Sequence, residues 1–458
     1  MRRHVAVSVV LVVVLAGATT AAAQVLQLPP RSTRGLFGAP RHADPNRAAH
    51  ELALTFNLLG GYEDNLTPGG EGVTTDPLAP RQSGSTGLFA GDVQYSYGTQ
   101  TRFIGVNGRG YMNSFRNLDL RPMYGGEVNV NGATQLGDKA GITASAGGRY
   151  QPTFTLGAVG LGSPEVQSGA VAPTDPTIGV SEMRSVGGDT SSTLTYNWSL
   201  RHRTNAGYGY SRQRVTSLTE VNSTSHVASL GHGWDVRRAL GLLFSYQYSS
   251  HSSEIGAGVT RPVDSQQGQL GVEYRKSVSP TRRIVFTGGA GAMHVKTLAS
   301  SDNRPFEYVA PSGFGGARID LGRTWAVSVD LRRDVTVLEG LTQQSFLTDV
   351  AALWIGGNIG QSWIVAVNGS FSEGRPHEGE IGSYESMNGT AQVQYALTRC
   401  CTVLGSYSYY AHRLRDLSSI PAGFPNRFDR SAVSVGFTIW LPLYGAFPAG
   451  RPAPAGRN

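Results

Sequence analysis

The sequence predicts an all-β protein, a transmembrane antiparallel up-and-down β-barrel of about 18 strands, with 16 to 20 as the range. Three observations carry this expectation. Apolar and polar residues alternate with period two along most of the chain, and successive side chains of a strand point to opposite faces. The composition is rich in turn and strand formers, with 60 Gly and 19 Tyr, while charged residues are only 16%. Long and short connections alternate between the strand patterns, as they do where short periplasmic turns face longer outer loops.

The chain opens on a secretory signal, residues 1–23. Arg2, Arg3 and His4 form the charged start, Val5 to Ala16 the apolar middle, and Ala21-Ala22-Ala23 the cleavage site before Gln24. Residues 24–50 carry Pro29-Pro30, Pro40, Pro45 and Arg31, Arg34, Arg41 and Arg47 without a period, and read as a flexible periplasmic arm. The barrel is expected over 51–441, and 442–458 as a periplasmic tail.

Strand patterns begin at Glu51, where Leu52, Leu54, Phe56 and Leu58 alternate with Glu51, Ala53, Thr55 and Asn57. Phe89, Val93, Tyr95 and Tyr97 alternate with Ala90, Asp92, Gln94 and Ser96; Arg102 to Tyr111 follows less cleanly. Val128 and Val130 stand against Glu127, Asn129 and Asn131, then Ile142 to Tyr150 against Thr143 to Gln151. Leu194, Tyr196, Trp198 and Leu200 continue the pattern. Leu240 to Tyr248, Leu270 to Tyr274, Trp325 to Leu331, Trp363 to Phe371 and Val433 to Leu441 are the clearest later stretches. Gly389 to Tyr395 and Val403 to Ala411 flank a short turn at Thr398 to Cys401 and form the cleanest hairpin. Nine longer connections, among them Val215–Ser223, Ser250–Asp264 and the longest, Thr155–Arg184, alternate with eight short ones. That count gives 18 strands, an even number, and puts both ends of the barrel on the periplasmic side.

No apolar run beyond the start approaches the ~18 residues of a spanning helix. The mean hydropathy of -0.19 fits strands of which one face is polar. Tyr95, Tyr97, Tyr150, Trp198, Tyr208, Tyr210, Trp234, Tyr246, Tyr248, Trp325, Trp354, Trp363, Tyr407, Tyr409 and Trp440 sit near strand ends, where interfacial girdles place aromatics.

A net charge of +7 comes without a basic run or stripe, which excludes a nucleic-acid partner. Cys400 and Cys401 are adjacent in a turn, and with no further cysteine they offer no zinc set. No G-x-S-x-G, H-E-x-x-H or phosphate-cradling loop is present. His226 and His232 share one strand pattern and His202 falls in a turn. The expectation is therefore no enzyme, no metal and no cofactor. The residues set aside as lumen-lining are Asp92, Glu127, Arg149, Glu273, Arg275, Arg318, Asp320, Asp330, Gln392 and Gln394, where such charges and amides would sort solutes.

Together, the signal segment, the hairpins such as Thr390 to Tyr410 and the closing strand Ser431 to Leu441 resemble outer-membrane β-barrel porin families, in particular barrels associated with exopolysaccharide export. The resemblance spans nearly all of the chain after residue 23. It implies the outer membrane as location, and lipid, polar solutes or saccharide, the barrel-insertion machinery and periplasmic export components as partners. One departure is that Phe437, Ile439 and Trp440 do not end the chain, because Leu441 to Asn458 follow. The rival expectation is a non-conducting structural or assembly barrel that anchors an envelope complex.

Overall fold

Strand alternation closes into a single ring. The computed structural model describes residues 49–444 apart from stretches between strands, the longest being 65–82 and 152–183. The stretch read as a signal, and most of those read as arm and tail, therefore lie outside the described residues. Eighteen strands follow in order. They are β1 (Ala49–Glu63), β2 (Gly84–Gly98), β3 (Arg102–Phe115), β4 (Met123–Leu136), β5 (Ala140–Gln151) and β6 (Arg184–Asn197). Next come β7 (His202–Thr216), β8 (Glu220–Arg237), β9 (Leu240–Ile255), β10 (Val259–Ser279), β11 (Arg282–Leu298) and β12 (Pro305–Leu321). Last are β13 (Trp325–Val337), β14 (Ser345–Ile359), β15 (Trp363–Pro376), β16 (Ser383–Ala396), β17 (Cys401–Arg415) and β18 (Arg427–Tyr444). Each strand pairs antiparallel with its neighbours in sequence, and β1 pairs with both β2 and β18. Closure leaves no sheet edge with unpaired backbone groups, the condition for strands to cross hydrocarbon.

The apolar side chains are on the outside. Leu58, Phe89, Val128, Leu270, Phe371, Val435 and Phe437 are all exposed and all belong to the same outward set, linked by the strand registers. Water would penalise such a wall, and lipid favours it. The strands run from 12 to 21 residues, longer than the ~9–11 needed to cross, so most project beyond the membrane. The turns on the side of the chain ends are tight; Gly137, Gly322 and Gly360 hold φ values of 69°, 83° and 64°, a region other residues enter only with strain.

The strand count and closure agree with the expectation, and three details differ from it. First, β7 runs to Thr216 and β8 starts at Glu220, while β9 runs to Ile255 and β10 starts at Val259. Two connections expected to be long are thus only three residues. The Ser-, Thr- and His-rich ends of these strands stand in water, where no apolar outward row is needed, so they lack the alternation that marks a strand. Second, β6 ends at Asn197, which puts Trp198 and Leu200 in the turn, and His202 opens β7. Third, Pro442, Leu443 and Tyr444 complete β18, and Ala49 and His50 open β1. The barrel therefore reaches a few residues into the stretches read as tail and arm.

Two tight corners bend the wall. A methyl on Gly436 would run into the Leu58 carbonyl, and one on Gly291 into the Gly268 carbonyl. Missing side chains at these inward positions let neighbours meet across a strand. Leu404 of β17 packs with Leu59 and Leu88 of β1 and β2 past Gly436. Gln269 donates from Nε2 to Ser312 Oγ at 3.3 Å past Gly291. The Phe314 ring likewise lies over Gly289 and Gly271, shielding backbone that no side chain covers.

Candidate functional site

The inward rows carry the polar chemistry. Across β2–β5 one register row places Asp92, Arg109, Glu127 and Arg149 opposite one another in turn. Charges alternate along it, so each interior member lies between opposite charges. Arg109 Nε is 3.5 Å from Asp92 Oδ1, and Asn57 Nδ2 donates to Asp92 Oδ2 at 3.0 Å. Thr438 in turn donates to Asn57 Oδ1 at 2.7 Å, which carries the network across the β1–β18 seam. Arg149 has no inward side chain opposite it on β6, where Gly187 stands. The next inward residue of β6 is Asp189, opposite Gly147.

Glu273, Arg275, Arg318, Asp320 and Asp330 occupy the inward rows of β10, β12 and β13 near the turn-side rim. Arg275 bonds both Asp235 Oδ1, at 2.7 Å, and the Glu273 carboxylate. Arg318 Nε reaches Asp320 Oδ1 at 3.1 Å on its own strand. Asp330 lies opposite Gly316, in the row that also holds Thr287 and Glu273. Gln392 and Gln394 lie inward on β16, with Gln392 buried. The ten residues singled out thus fall into three groups on separate arcs rather than one constellation.

Exposure varies around the inward wall, and buried inward residues also occur on β8–β12, among them Val221, Ser253, Val263, Met293 and Val295. On β4–β6, Glu127, Asn129, Arg149, Asp189 and Ser191 are open to solvent, and Ser145 and Ser191 share a 2.7 Å hydrogen bond. On β14–β18, Phe346, Thr348, Ser372, Tyr384, Ser386 and His412 are almost wholly buried. There Thr348 and Tyr384 hydroxyls lie 2.9 Å apart, and Phe346 meets the Tyr384 ring edge-on at 5.2 Å. Glu63 and Arg430 form a buried ion pair across the β1–β18 seam, and Ser431 donates from its backbone and hydroxyl to Asp64 at 2.5 and 2.6 Å. An open polar strip thus faces a closed, packed one.

Arg109 and Asp189 were not singled out from the sequence. Gly105, Gly108 and Gly110 dilute the alternation around Arg109, and Asp189 sits among Gly187, Gly188 and Thr190. Only the register reveals that they adjoin Glu127 and Arg149. Among the aromatics expected at the girdles, Trp354 and Trp440 face inward instead. Trp354 is opposite Ser328, in the row of Arg318, and Trp440 follows Thr438 by one inward step. Tyr208, Trp234, Tyr246, Trp363 and Tyr407 are exposed on the outward rows. At the turn-side rim the His202 ring stacks on Trp234 at 5.6 Å, and the Thr204 hydroxyl lies 3.0 Å from His232 Nδ1. Among the described residues no cluster of metal-binding side chains occurs.

No known family model matches the chain, and no curated protein is similar to it in sequence. Solved structures similar to it match at very low identity. OccK11 (OpdR) of Pseudomonas aeruginosa is 12% identical, with 87% of this chain and 96% of that one covered and a TM-score of 0.39. The FrpB iron transporter of Neisseria meningitidis is 8% identical, with 90% and 83% covered and a TM-score of 0.44. OccK2 (OpdF) of P. aeruginosa, solved with glucuronate, is 10% identical, with 86% and 98% covered and a TM-score of 0.39. The assignment as an outer-membrane barrel stands on this chain's own closure, even strand number and exposed apolar wall.

Proposed function

We propose that the barrel passes polar, hydroxyl-rich solutes, saccharides first among them, across the outer membrane along the open inward strip of β4–β6. The observation that carries this reading is the contrast between the β4–β6 and β14–β18 arcs. Side chains that need water or a polar partner stay exposed on one arc, while the other is packed shut. Carboxylate, guanidinium, amide and hydroxyl groups in neighbouring rows offer donors and acceptors to sugar hydroxyls. Because the charges alternate in sign, the strip holds a polar solute without a strong net field. In this reading Arg149, at the open end of the β2–β5 row, borders the strip, while Asp92, Glu273, Arg275, Arg318, Asp320, Asp330, Gln392 and Gln394 belong to other arcs of the lumen wall. A role beside periplasmic components in exopolysaccharide export is the narrower form of the proposal.

The test is conductance. Purified protein in a planar bilayer should give stepwise currents, and neutral oligosaccharides should interrupt them. Silence, also with residues 24–50 deleted, would overturn passage. It would favour the rival reading, a non-conducting barrel that anchors an envelope complex, to which the packed β14–β18 arc also lends support. The export form fails if deleting the gene leaves surface polysaccharide unchanged.

A further inference from the structure

We propose that Arg413, Arg415 and Arg427, on the outward face of β17 and β18, hold a phosphorylated glycolipid headgroup of the outer leaflet. The inference rests on the orientation of the barrel in the membrane and is independent of passage through the lumen. Outward residues of β17 and β18 are apolar or aromatic through Val403, Tyr407, Val433, Val435 and Phe437, then turn charged toward the outer rim. One register row there joins Arg333, Asp349, Glu373, Glu385, Arg413 and Arg427 across six strands. Charged side chains in this row adjoin the hydrocarbon, where the polar part of a lipid lies.

The two halves of the row differ. On β13–β15 each arginine has its own carboxylate. Arg333 grips Asp349 through two bonds of 2.6 and 2.5 Å, and Arg375 holds Glu373 at 2.6 Å. On β17–β18 two arginines share Glu385, Arg415 at 2.9 Å and Arg413 at 3.9 Å, and Arg427, opposite Arg413 on the next strand, has no ionic partner among the described residues. Asp429 lies one outward step inside Arg427, opposite Ala411. Arg413 and Arg427 are directly opposite each other, a like-charge pair that costs stability unless an anion lies between them. Phosphate fits that gap. It takes two guanidinium groups in paired hydrogen bonds, and the nearby hydrocarbon strengthens the attraction relative to open water.

The full-length barrel, folded in neutral detergent, is titrated with bisphosphorylated lipid A, with the same glycolipid lacking phosphates, and with inorganic phosphate. Bound lipid is counted by native mass spectrometry. The expected result is at least tenfold tighter binding of the phosphorylated lipid. The combined R413Q, R415Q and R427Q variant should fall to the phosphate-free level, and R333Q should bind as the parent does. Equal binding of the two lipids, equal binding by the triple variant, or equally tight binding of free phosphate would each overturn the proposal. Heat-modifiable migration reports folding. Should the triple variant not fold, single R427Q and the charge-keeping triple lysine variant decide it: the first must weaken binding and the second keep it. Conductance measured on the same variants should stay unchanged, which separates this site from the lumen.

Discussion

At the level of single residues, the most informative pair is Cys400 and Cys401. They are free thiols, with sulfur atoms 3.4 Å apart, Cys400 ending the turn after β16 and Cys401 opening β17. The Thr398 hydroxyl, then the Cys401 thiol, hold the Cys400 thiol below its usual range. A lowered thiol ionises more fully near neutral pH, and the thiolate is the reacting form. Cys400 should therefore label faster at neutral pH than an ordinary exposed cysteine. Its position also reports topology. The turn lies on the rim that carries both ends of the barrel, which such barrels keep in the periplasm. A polyethylene-glycol maleimide too large for the lumen should leave intact cells unlabelled and react once the periplasm is opened. Labelling of intact cells would invert the barrel.

Among elements, the two faces of one strand obey different physics. On β18 the outward Val433, Val435, Phe437, Ile439, Leu441 and Leu443 alternate with inward Ala432, Ser434, Gly436 and Thr438. Phe437→Arg puts a cation in hydrocarbon and should cost ~2–4 kcal/mol of barrel stability. Asn129→Arg, on the open inward strip, should change stability by less than about 1 kcal/mol, because its charge stays in water. Urea unfolding in liposomes compares the two; equal losses would mean that the faces are misassigned. The same physics explains which elements the sequence reveals. Where a strand crosses lipid, as at Phe89 to Tyr97 or Val433 to Leu441, the lipid imposes the alternation and the strand is legible. Where β8, β9 and β10 rise above it, around Asn222 and Ser252, no lipid faces the outward row and the pattern vanishes. Trp354 and Trp440 mark the converse limit, since a tryptophan near a strand end is no guide to its face without the register.

For the whole molecule, closure creates what no strand contains. Asp92, Arg109, Glu127 and Arg149 belong to four hairpin arms, and their neighbourhood exists only through three successive registers. The alternation of strands set their face, but it carried no sign that charges of opposite sign would meet in a row, nor that β14–β18 would be packed while β4–β6 stayed open. The row predicts how the passage treats ions. Balanced charge gives weak selectivity between small cations and anions. Arg149→Glu would leave Glu127 beside a second carboxylate and Asp189 nearby, so the open end of the row would become acidic. Reversal potentials across a salt gradient should then move clearly toward cation preference, and more so at low ionic strength, where screening is weaker. Arg318→Glu makes the same change of charge on another arc, beside the Asp320 to which Arg318 bonds. If ions follow the β4–β6 strip, this second variant should move the reversal potential much less. Equal shifts from the two would mean that ions use the full width of the lumen, and no shift from either would place the conducting path away from both walls.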